Sequence, residues 1–111
     1  MTSPVTTDLS GTAVLTWDGL GAGEEGVAAS QVRLGERVVQ VFGTFNGASV
    51  VLEGSADGQN WFRLSDQFGL SLYFTITSGK TVLESTHYIR PVVIGGDAST
   101  SLTVLFSVRK A

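Results

Sequence analysis

Residues 37–54 read RVVQVFGTFNGASVVLEG, two β-type runs on either side of Asn46-Gly47. In the first run Val39, Val41, Gly43 and Phe45 alternate with Val38, Gln40, Phe42 and Thr44, so both faces are half apolar. A plain surface strand would show a cleaner polar side, so this one belongs inside a sandwich or at a subunit contact. Asn-Gly is the strongest short hairpin signal, because both central residues of a type I′ turn need positive φ. The pair predicts a tight hairpin whose second strand is Ala48 to Gly54.

Outward from this segment the same grammar continues. The Asp57-Gly58 cluster predicts a reversal before a short strand, Trp61 to Leu64, and Ser65 to Gly69 another turn. Leu70 to Thr77 reads as a longer strand with Leu70, Leu72, Phe74 and Ile76 on one side. Ser78-Gly79-Lys80 then turns the chain into Thr81 to Ser85. His87 to Ile94 follows, with Pro91 marking an edge, a bulge or a strand start, since proline donates nothing to a ladder. Gly95-Gly96-Asp97 precedes a final strand, Ser101 to Arg109. On the N-terminal side lie a strand from Gly11 to Trp17 and a glycine-rich loop, Asp18 to Gly26, with the β pattern resuming at Gln31. About eight strands at this spacing, with no helical periodicity, predict an all-β antiparallel sandwich or small barrel, Ig-like or jelly-roll-like. Val, Ile and Thr number 29 against 7 for Lys and Glu, in keeping with strands over helices.

The 111 residues make one domain, expected over 11–111. Residues 1–10, MTSPVTTDLS, are short and polar with Pro4 early, and read as a flexible arm that folds against another protein. Seven basic against ten acidic residues give a net charge of −3, opposite to the basic footprint that nucleic acid or anionic lipid demands. Neither nucleic acid nor membrane is expected as a partner. Charged residues are only 15% of the chain, which leaves a surface suited to contact.

Catalytic and metal chemistry find little material. There is no cysteine, and the single His87 begins a strand, where it reads as a surface histidine. Asp18, Glu24 and Glu25 lack the repeated spacing of a calcium loop. The glycines of GLGAG are followed by neither a helix nor a Lys-Ser/Thr pair, as a phosphate loop would require. No enzyme activity and no cofactor are expected. The binding candidates fall in two groups. Thr2, Pro4, Val5 and Leu9 on the arm, with Val38, Phe42, Val51 and Leu105 on outward strand positions, form a candidate protein interface. Asp57, Gln59, Asn60, Trp61 and Tyr88 form a candidate glycan platform, aromatic rings with turn polars beside them.

Three stretches carry a resemblance: GSADGQNW at Gly54 to Trp61, YIRP at Tyr88 to Pro91, and GGDASTSLTV at Gly95 to Val104. Together they resemble small all-β proteins of tailed-bacteriophage head gene clusters, thought to act as capsid decoration or cement proteins. The resemblance implies a virion structural protein, made in the host cytoplasm and placed on the capsid surface. Its implied partner is the major capsid protein, and its implied assembly is a homotrimer. The first motif with the later Tyr-Ile-Arg strand is also similar to discoidin-like carbohydrate-binding domains, which implies the glycan alternative in a tail or baseplate protein.

Overall fold

The computed structural model describes residues 2–9, 11–30 and 35–109. The Gln31 to Leu34 part of the expected pattern lies outside them. Ten strands occur in the order β1 (Val5–Leu9), β2 (Thr12–Leu20), β3 (Ala29–Ser30), β4 (Arg37–Thr44), β5 (Ser49–Ser55), β6 (Phe62–Arg63), β7 (Tyr73–Phe74), β8 (Ser78–Thr81), β9 (Tyr88–Ile94) and β10 (Ser101–Arg109). They build two antiparallel sheets, each of five strands. The first is ordered β1-β2-β10-β4-β8; the second is β3-β9-β5-β6, with β7 also paired to β5. The architecture is an all-β sandwich. Its core is filled from the first sheet by Leu15, Trp17, Val39, Val41, Val104 and Phe106, and from the second by Val50, Leu52, Ile89 and Val93. Trp17 is fully buried, and its Nε1 donates to the Val27 carbonyl at 2.9 Å.

Asn46-Gly47 makes the expected turn but not the expected hairpin. Asn46 (φ 46) and Gly47 (φ 86) are both left-handed, and the Ala48 N–H donates to the Phe45 carbonyl at 2.9 Å, as in a type I′ turn. Yet β4 and β5 lie in different sheets. β4 pairs with β10 along its whole length, Arg37 to Thr44 against Val108 to Ser101, while β5 pairs with β9 from Ser49↔Ile94 to Ser55↔Tyr88. These ladders outweigh the single turn. Just before the chain leaves the first sheet, Gly43 (φ 127) lies so near the Ser101 carbonyl that a Cβ would fall 2.4 Å from it.

Three other expectations are corrected. Leu70 to Thr77 is not a long strand: only Tyr73–Phe74 pairs, and while Leu72 and Phe74 are buried, Leu70 and Ile76 are 65% and 70% exposed. The buried Asp66 explains this, because its Oδ1 accepts from the Phe68 and Leu70 N–H groups and ties residues 66–70 into a turn ahead of Leu72. Ser78-Gly79-Lys80, expected as a turn, is instead most of β8, which pairs with β4. Pro91 sits in β9, inside the second sheet between β3 and β5. Its carbonyl accepts from the Gly26 N–H at 2.8 Å, so its donorless nitrogen faces that same side, where β3 pairs with β9 only through Ala29 and Ser30. Gly26 makes room there, since a Cβ would lie 2.8 Å from both the Pro91 ring and Trp17.

The expected arm is also placed differently. β1 pairs in full register with β2, from Val5↔Thr16 to Leu9↔Thr12. Ahead of it, Thr2 is half-buried: its N–H and Oγ1 donate to Glu24 Oε2 at 2.6 and 2.5 Å, and its carbonyl accepts from the Val27 N–H at 2.8 Å. Thr2 to Leu9 therefore folds against its own domain.

Candidate functional site

Strand alternation sorts the first sheet into two faces, and the outer one gathers much of the predicted interface. The ladder partners Val5↔Thr16↔Leu105↔Gln40 run straight across it, with Thr7, Val14, Ser107 and Val38 in the next row. Thr103 and Phe42 form a pair nearer the other end. All of these side chains are uncharged. Among the described residues charge enters at the ends: Asp18, which accepts from Thr103 Oγ1 at 2.7 Å, and at the opposite end Glu36 and Arg109, which line a shallow depression with Thr12, Val38 and Ser107. Val5 is 65% exposed, Val38 43% and Phe42 37%, while Leu105 is half-buried between its neighbours. Leu9 holds the register position opposite Thr12.

Val51 does not belong to this surface. It lies on β5 in the second sheet and is only 1% exposed. Both faces of β5 are covered, and on Val51's side its ladder partner Tyr73 reaches over to Ser49, the two hydroxyls 2.7 Å apart. With both faces of its strand covered, Val51 has no surface to offer another protein. Pro4 and Thr2 are half-buried, Thr2 against Glu24 and Val27.

The five glycan candidates lie around one end of β5 and β9, but the carboxylate of Asp57 and the amide of Asn60 are bonded to each other within an exposed turn. Asp57 Oδ1 accepts from the N–H groups of Gln59 and Asn60 and from Ser55 Oγ, and its Oδ2 accepts from Asn60 Nδ2. These donors, Asn60's first, hold the Asp57 carboxyl far below the usual carboxylate range. Tyr88 lies along Gly58, with the edge of its ring pair to His87 at 4.4 Å between centroids. Trp61 is half-buried, and one face of its indole is occupied by the Arg90 guanidinium, 4.1 Å from the ring centroid. Arg90 is held there by Glu53 at 2.9 Å and Glu25 at 2.8 Å. Glu25 is weighed from sequence only as a calcium-loop residue, and Arg90 and Glu53 not as a charged pair. The signal was present in the cross-strand pair Glu53↔Arg90, which becomes visible only once β5 and β9 are known to be neighbours.

The acidic loop residues are likewise engaged. Glu24 accepts from Thr2 and from the Gly21 N–H, and Glu25 pairs with Arg90. Burial raises the Glu24 pKa, but the bonds from Gly21 and Thr2 more than offset it and leave it below its ordinary value. Among the described residues no group of three or more His, Asp or Glu is placed to hold a metal ion.

Neither a known protein family nor a curated protein matches the sequence. Among solved structures, the chain is similar to the crystal structure of the SPBc2 prophage-derived protein YomS. The two share 13% sequence identity, with a TM-score of 0.68 over 92% of this chain and 97% of that one. They share a fold.

Proposed function

We propose that this protein is a phage virion structural protein, a capsid decoration protein that binds the major capsid subunits and stabilises the head. The observation that carries the reading is the uncharged outer face of the first sheet, where Val5, Val38, Phe42 and Leu105 converge. Apolar groups surrounded by Ser and Thr lose little when covered, whereas burying an unpaired charge would cost several kcal/mol, on the order of the whole gain. Such a surface serves binding with no reaction. The fold shared with a prophage-derived protein supports a phage setting, and so does the resemblance carried by residues 54–61, 88–91 and 95–104. A standard interface hides roughly 800 Å² on each partner, and many copies on one shell turn a modest contact into a durable coat.

The test is co-sedimentation with heads assembled without this protein. Wild type is expected in the head fraction, and the Val38→Lys/Phe42→Lys double variant, which changes two exposed side chains, in the supernatant with its melting curve preserved. A double variant that still travels with heads, or a wild type that never does, overturns the reading.

A further inference from the structure

β8, Ser78–Thr81, ends the first sheet, and among the described residues its strand neighbour is β4 alone. Their ladder runs from Val41↔Ser78 to Val38↔Thr81. Immediately beyond it the Val82 N–H donates to the Arg37 carbonyl at 2.9 Å, which makes Arg37 and Val82 a hydrogen-bonded pair. Such pairs alternate with non-hydrogen-bonded ones along an antiparallel ladder. Lys80 and Ser78 therefore turn their N–H and C=O toward β4, whereas Thr81 and Gly79 turn theirs away from it. Leu83 follows in the same phase: its N–H points to the open side and donates to the Ser65 carbonyl at 2.8 Å.

Past the Ser65–Leu83 bond the two segments part. Asp66, Gln67 and Phe68, with Gly79, Lys80 and Thr81, line a cleft of about 280 Å³, just under the roughly 300–1,000 Å³ of small-molecule pockets. The strand edge in this cleft is unguarded. A lysine on an edge normally deters strand addition, but Lys80 shares the inner face with its buried ladder partner Val39 and holds its ammonium 5.4 Å from the Phe74 ring centroid. Gly79 presents no side chain, and a Cβ there would meet no atom closer than 3.5 Å, so packing does not demand the glycine. Phe68, on the opposite rim, is 78% exposed.

We infer that this cleft takes an extended, uncharged segment of a partner protein, which adds to β8 as a sixth strand of the first sheet. The backbone groups of Gly79 and Thr81, two residues apart on one edge, match the donors and acceptors of another strand. One acid and one base line the cleft, the buried Asp66 and Lys80, so a segment without net charge fits it best. Gly79 and Thr81 are the ladder partners of Gln40 and Val38, so the added strand also prolongs the two rows of the uncharged outer face. Under the function proposed above, the segment belongs to the shell subunit; that assignment, and not the strand addition, rests on that function.

In amide hydrogen exchange of the full chain, Gly79 and Thr81 are expected to exchange at least about tenfold faster than Lys80 and Val82. An acetylated and amidated pentapeptide of alternating threonine and valine is expected to shift the Gly79 and Thr81 amide resonances saturably. Its fully N-methylated counterpart, with no N–H to give, is expected to leave them in place. Phe68→Ser, at an exposed side chain, is expected to weaken the peptide about tenfold with its melting curve preserved. Thr81→Pro, which removes an N–H directed away from β4, is expected to abolish the peptide's effect and to lower occupancy on heads. The inference is overturned by Gly79 and Thr81 amides as slow as their neighbours, as when a second copy covers the edge, or by a peptide that shifts nothing. An N-methylated peptide that acts like the first, or a Phe68→Ser that binds as wild type, overturns it too. Should Thr81→Pro fail to fold, Phe68→Ser and the two peptides decide. A wild type that takes the peptide but never travels with heads removes the proposed function and leaves the cleft; one that travels with heads but ignores the peptide does the reverse.

Discussion

Glu84 shows how a single carboxylate can hold two distant segments together. Its Oε1 accepts from the Ser65 N–H at 2.6 Å and its Oε2 from Ser65 Oγ at 2.7 Å, nineteen residues back along the chain. Beside it, Arg37 donates to the carbonyls of Glu84, Leu83 and Gly35, so the segment between β8 and β9 is fastened to both the 65–71 turn and the start of β4. Burial raises the Glu84 pKa, but the Ser65 bonds and the Arg37 charge leave it below its ordinary 4.5. A carboxyl with a lowered native pKa binds fewer protons folded than unfolded, so stability rises with pH across that interval. The contribution is complete above about pH 4.5 and disappears as the pH falls through the lowered native value. Glu84→Gln is expected to cost about 1 kcal/mol at neutral pH, with the gap to wild type narrowing as the pH falls below the ordinary carboxylate value. Urea melts of both proteins across this range check it; a gap that stays constant with pH would show that the charge of Glu84 does nothing for the fold.

At the scale of the element, the crossing between β4 and β5 is the instructive case. Asn46-Gly47 announces its turn type from sequence, because positive φ at two successive positions is a local demand that few residue pairs meet. Which strands the turn connects is decided elsewhere, by the ladders that β10 and β9 offer. The crossing is then clamped by residues far along the chain: Thr100 Oγ1 donates to the Phe45 carbonyl at 3.0 Å, and Asn46 Nδ2 to Asp97 Oδ1 at 3.3 Å. The same division runs through the candidate surface. Val38, Phe42 and Leu105 were legible as outward positions because period-2 alternation survives on β4 and β10. Val51 was not, because its burial depends on Tyr73 arriving from another strand, and Leu70 and Ile76 were not, because the Asp66 turn interrupts the alternation. Two glycines of the crossing separate these causes. Gly47→Ala, with open space at its Cβ and only a left-handed φ to strain it, is expected to lose about 1 kcal/mol. Gly43→Ala meets the Ser101 carbonyl as well, and is expected to lose at least twice as much in equilibrium unfolding. Equal losses would mean that β4 and β10 separate there at little cost.

For the whole molecule, the N-terminal segment has a different standing from the one its composition suggests. A short polar stretch with an early proline resembles an appendage, and by that reading its removal leaves the domain as stable as before. The structure instead pairs β1 with the first half of β2, Thr12 to Thr16, and runs Thr2 on to Glu24 and Val27, in the loop that carries the chain from the first sheet to the second. The segment thus laces one side of the sandwich. Without it β2 becomes an edge, and Glu24 loses the two donors that Thr2 supplies while remaining partly shielded from water. The offsetting term is the chain entropy of ordering eight residues, which cancels much of the gross gain. With roughly 1 kcal/mol net for each hydrogen bond lost and that entropy returned, deletion of residues 1–10 is expected to lower unfolding stability by about 2–3 kcal/mol. Denaturant midpoints of the full and shortened chains measure this directly. An unchanged midpoint would return the segment to the role of an arm awaiting a partner.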